Sequence, residues 1–86
     1  MEQKYAIRIY ESDVEKYSTE ISTEDIHDDL WDIISDAITA AYPDDRMSEP
    51  NEVTSRKAYE SAEFDETGFA GYFGIDDACM ITATRI

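Results

Sequence analysis

Pro43 closes a stretch that admits one kind of local structure. In the residues before it, TEDIHDDLWDIISDAITAAY (23–42), apolar side chains recur at Ile26, Leu30, Ile33, Ile34, Ala37 and Ala41. That is the i, i+4, i+7, i+8 spacing of an α-helix with one buried face. Ser22 and Thr23 stand just ahead of the series, and Ser22 with Asp25 has the spacing of a capping box. Pro43 lacks the amide that a further turn needs. The pattern predicts a helix from about residue 23 to Tyr42. An amphipathic helix cannot bury its stripe alone, so the rest of the chain must supply a surface for it.

That surface reads as a sheet. In KYAIRIY (4–10), Tyr5, Ile7 and Ile9 alternate with Ala6, Arg8 and Tyr10, the period of a strand. ESD (11–13) is turn chemistry, and a second strand over roughly 14–21 carries Tyr17, Thr19 and Ile21 on one side, completing a hairpin. After the helix, PDDRMSEPN (43–51) is a polar loop. EVTSRKAYESAE (52–63) is ambiguous: its Ala, Glu, Lys and Arg favour a weaker second helix, yet Val53, Ser55, Lys57 and Tyr59 alternate. GFAGYFGI (68–75) reads as a strand with glycines where something approaches closely or the chain bends. Asp76 and Asp77 turn it into a last strand, ACMITATR (78–85). The expected fold is α+β: one domain over residues 1–86, a small, mostly antiparallel sheet in ββα(α)ββ order, with one long amphipathic helix packed on one face.

Charge narrows the function. The chain carries 21 acids against 7 bases, a net charge of −14. Nucleic acids and anionic membranes share that sign, so direct binding to either is not expected, and the expected partner surface is basic. The imbalance is local: residues 11–52 hold 14 acids and 2 bases, and no Lys or Arg occurs from 17 to 45. On a helix begun near residue 23, Asp25, Asp28, Asp29, Asp32 and Asp36 fall within a sector of about 100°, opposite the isoleucines. Ordinary solvated faces mix signs to gain i, i+4 pairs; this one has none. The five charges would be spread over roughly 16 Å of helix, about one per 3.3 Å. One strand of duplex DNA carries a phosphate about every 3.4 Å of axis.

Other chemistry is not indicated. With Cys79 the only cysteine, no intrachain disulfide can form. A Cys–His nucleophile would need Cys79 against His27, the only histidine, and both read as structural. The EF-hand loop pattern is absent, and aspartates in a helical row do not converge on one ion, so no metal site and no cofactor are expected. No pair of carboxylates is set in anything resembling a pocket, and the chain does not read as an enzyme. Neither a secretory signal nor an apolar run of membrane-spanning length occurs, so the expected location is cytoplasmic, the host cytoplasm if the gene is viral.

In size, charge and the acidic helix the chain resembles the small acidic proteins with which phages and mobile elements block host defence. Some of these mimic DNA and fill the nucleic-acid channel of restriction enzymes or CRISPR effectors. The resemblance implies an inhibitor acting by competitive occlusion of a basic nucleic-acid-binding protein. The expected contact residues are Asp25, Asp28, Asp29, Asp32 and Asp36, helped by Glu11, Asp13, Glu20, Asp44 and Asp45. Two other readings stand beside it: an immunity protein or antitoxin covering one nuclease toxin, and an acidic or halophilic structural domain with no basic partner.

Overall fold

The computed structural model describes residues 2–43 and 50–86. β1 (Gln3–Glu11) and β2 (Val14–Thr23) are followed by two helices, α1 (Leu30–Ala41) and α2 (Asn51–Ser61). Strands β3 (Glu63–Phe64), β4 (Gly68–Phe73) and β5 (Cys79–Arg85) complete the chain, with a single 3₁₀ turn at Ile75–Asp77 before β5. All strand pairs are antiparallel, and the sheet order is β2-β1-β5-β4-β3. The architecture is the expected α+β one.

Alternation along the strands sets which face meets the helices. Tyr5, Ile7 and Ile9 of β1 point to the core, as do Cys79, Ile81 and Ala83 of β5 and Phe69 and Phe73 of β4. Register aligns them in rows, Ile9 opposite Ile81 and Ile7 opposite Ala83. Onto this face α1 lays Leu30, Ile33, Ile34, Ala37 and Ile38, all buried. The ββ hairpin turns at Ser12 and Asp13, which adopt φ of 51° and 69°. Such positive φ at both central positions matches the right-handed twist of the flanking strands.

The helix begins later than its periodicity predicts. Thr23 and Asp25 offer side-chain oxygens that take backbone amides out of a helical ladder. Thr23 Oγ1 accepts from the Asp25 amide at 3.2 Å. Asp25 Oδ1 accepts from the amides of His27 at 2.9 Å and Asp28 at 3.3 Å. One α-like bond follows, Asp29 N–H to the Asp25 carbonyl at 3.1 Å, then a tight one from Leu30 to His27 at 3.4 Å. Continuous α-helix starts only with Ile33 N–H donating to the Asp29 carbonyl at 2.9 Å. Residues 26–29 are therefore a turn. The single long helix of the sequence reading is a 12-residue α1 joined by an 11-residue α2.

The ambiguity over 52–63 resolves as helix because a close contact decides it. The α2 positions facing inward are small, Thr54, Ser55 and Ala58, which lets its backbone lie directly on β4. A Cβ added to Gly71 would stand 2.5 Å from the Ala58 carbonyl oxygen. The Ser61 hydroxyl then ties the helix end to the strand, donating to the Tyr72 carbonyl at 2.9 Å and accepting from the Tyr72 amide at 2.7 Å. The opposite face of the sheet, with Ala6, Arg8, Tyr10, Met80 and Thr82 half-buried, has no helix over it among the described residues. Among those residues, no helix is long and apolar enough to cross a membrane.

Candidate functional site

β2 is an outer strand of the sheet, and α1 covers it only in part. The gap is a groove of about 410 Å³. Its floor is the inner face of the first hairpin, with Ile7, Tyr17, Thr19 and Ile21; its far wall is α1, with Ile33 and Ala37 low and Asp29, Asp32 and Asp36 at the rim. The three aspartates are exposed. The geometry follows from two periods. Alternation in β2 turns Tyr17, Thr19 and Ile21 to the helix side, half-buried for want of a cover. In α1 the spacing 29, 32, 36 puts three carboxylates on the flank adjoining that gap.

The ten acidic candidates divide by what holds them. Asp32 and Asp36 lie on α1 and Asp29 immediately precedes it. Asp29 also accepts a hydrogen bond from the Thr23 hydroxyl, which pins the end of β2 to the start of the helix. Asp25 and Asp28 belong to the preceding turn, where Asp25 is engaged in capping amides. The continuous five-aspartate helical row is thereby corrected, and with it the even 3.3 Å spacing. None of these five aspartates forms an ion pair with a described base; the salt bridges among the described residues are Arg8–Glu15 at 3.3 Å and Arg56–Glu52 at 3.5 Å.

The remaining candidates are not brought to the groove. Glu11 turns toward the core, where its carboxylate accepts from the Tyr42 hydroxyl at 3.1 Å. Asp13 sits in the hairpin turn, at the other end of β2 from Thr23. Glu20 belongs to the opposite face of β2, paired with Ala6 and beside Arg8. Asp44 and Asp45 lie outside the described residues. The floor is not legible in the sequence: alternation puts Tyr17, Thr19 and Ile21 on one strand face, but nothing local signals that this face stays partly open.

His27 and Cys79 are held at opposite ends of α1. The His27 ring stacks on Phe64, with centroids 3.8 Å apart and planes 22° from parallel, which fastens the acidic turn to β3. Cys79 is buried beside Tyr42, and burial, then the Glu11 charge, pushes its thiol above the ordinary value. A raised thiol is a weaker nucleophile at neutral pH. On the helical side, Trp31 and Tyr59 meet edge to face at 5.6 Å and remain 36% and 45% exposed. Among the described residues no group of three Asp, Glu, His or Cys side chains is placed to hold a metal ion. No protein-family model matches the chain, and no curated protein or solved structure matches it either.

Proposed function

We propose that the protein is an acidic inhibitor that binds the basic nucleic-acid-binding surface of a target protein and occludes it, the role of an anti-defence factor acting against a restriction enzyme or a CRISPR effector. The observation that carries this reading is the groove between β2 and α1, rimmed by Asp29, Asp32 and Asp36 without a described basic partner and floored by Tyr17 and Ile21. Lys and Arg that hold phosphates in the target take these carboxylates instead, as charge-assisted hydrogen bonds. Apolar floor residues add contact area that a pure charge patch lacks. The net charge of −14 steers a basic surface toward the site and makes association fast and salt-sensitive.

The test is affinity capture from a host lysate, eluted with a NaCl gradient and repeated with excess duplex DNA. The expected capture is one nucleic-acid-binding protein that elutes with salt and is displaced by DNA. The variant Asp29→Asn, Asp32→Asn, Asp36→Asn keeps side-chain size, removes three negative charges from the rim and weakens that complex 10-fold or more. Capture of one nuclease toxin, neutralised without competition from DNA, would identify an immunity protein instead. A partner indifferent to salt, to DNA and to the three substitutions would reject the acidic groove as the binding surface.

A further inference from the structure

As the outermost strand, β2 has one row of backbone N–H and C=O groups with no strand beside it among the described residues. Proteins usually blunt such an edge with Lys, Pro or a bulge. Here the irregularity falls at Lys16, where pairing passes from Ile9–Tyr17 to Tyr10–Glu15. Beyond it, residues 17–23 (YSTEIST) keep an unbroken register with β1 and contain neither Lys nor Pro. Their single charge is Glu20. The stretch is rich in β-branched residues, and it is the same stretch that floors the acidic groove.

A strand added here would lie about 4.8 Å from β2 and send every second side chain to the side of Tyr17, Thr19 and Ile21. On that side stand Asp29, Asp32 and Asp36. Alternate residues of a strand are about 6.8 Å apart, and Asp32 and Asp36 are about 6 Å apart along α1. Bases at alternate positions therefore match the carboxylates. A second copy of the chain does not fit, because it would bring Glu20 and the three aspartates against their equals, on a molecule already at −14. We propose that the edge of β2 at residues 17–23 receives an extended basic segment of the partner as a sixth strand, whose alternate Lys or Arg side chains reach Asp29, Asp32 and Asp36. This rests on the reading of the groove as the site for a basic partner and adds how that partner is held: backbone bonds fix register, and the carboxylates select sequence.

Capped eight-residue peptides test it with the intact protein. One alternates Lys and Val; a second has the same composition with its four lysines contiguous. Two analogues of the first are N-methylated on alternate amides, and only one of these blocks the edge that would face β2. The alternating peptide is expected to bind at least 10-fold more tightly than the contiguous one and to slow amide exchange across residues 17–23. One N-methylated analogue should lose that binding and the other keep it, and the Asp32→Asn, Asp36→Asn variant should weaken it. Equal binding of all four peptides without slowed exchange would overturn the inference in favour of diffuse charge attraction. If no peptide binds while salt-sensitive, DNA-displaceable capture persists, the added strand is rejected and the acidic-groove reading survives. If neither occurs, both are rejected.

Discussion

Around Tyr42, three titratable groups share one corner of the core. The Tyr42 hydroxyl donates to the Glu11 carboxylate, and Cys79 lies against both. Burial, followed by the nearby Cys79 and Glu11, pushes the Tyr42 hydroxyl well above the ordinary tyrosine value of 10.0. The fold thus favours the neutral phenol. Stability from this group is present in full below pH 10 and drains as pH rises from there through the folded-state value. Tyr42→Phe leaves the half-buried Glu11 carboxylate without this donor, at a cost of about 1–2 kcal/mol near neutrality. The same substitution should flatten the alkaline loss. Urea unfolding at pH 7, 10 and 11.5 checks both, and an unchanged slope above pH 10 would mean that another group governs the alkaline limb.

Periodicity made β1, β2, β5 and the buried stripe of α1 legible, because Tyr5, Ile7 and Ile9 or Ile33, Ala37 and their neighbours advertise a face directly. It failed where side chains compete with the backbone. Ser22 and Asp25 have the spacing of a capping box in sequence, but the cap that forms uses Thr23 and Asp25 and serves a single turn rather than α1. The character of α2 was obscured because small, polar Thr54 and Ser55 occupy its inner face. The aspartates of the site were legible as residues, yet their floor was not. The floor is open because β2 is the outer strand beside β1 and α1 covers it only in part, and that placement is a non-local outcome. The glycines between 68 and 75 did announce a close approach, and Gly71 provides it. Gly71→Ala should force α2 away from β4 and cost about 1–3 kcal/mol, measurable as a lowered urea midpoint. A neutral result would show that α2 can shift at no cost.

The described residues span 38 × 22 × 21 Å. At 10 mM salt the Debye length is about 30 Å and at 150 mM about 8 Å. In dilute buffer every charge on the molecule therefore acts on most others, whereas at 150 mM only neighbours do. With a net charge of −14, raising NaCl across that range should raise Tm by several degrees even as it weakens capture of a basic partner. A flat Tm would place the charges too far apart to repel. Another property of the molecule follows from its strand order. β5 lies at the centre of the sheet and pairs with β1, so the Ile86 amide reaches the Lys4 carbonyl at 2.9 Å. The first hairpin closes over two residues, but its attachment to the other half of the sheet closes nearly the entire sequence into a ring. Of the strand pairings described, this one closes the longest loop and carries the largest loop-closure entropy. Residues 4 and 86 already stand side by side. A short bridge joining them would turn that long closure into another hairpin, so the same sheet could be threaded in a different order at a smaller loop-closure cost.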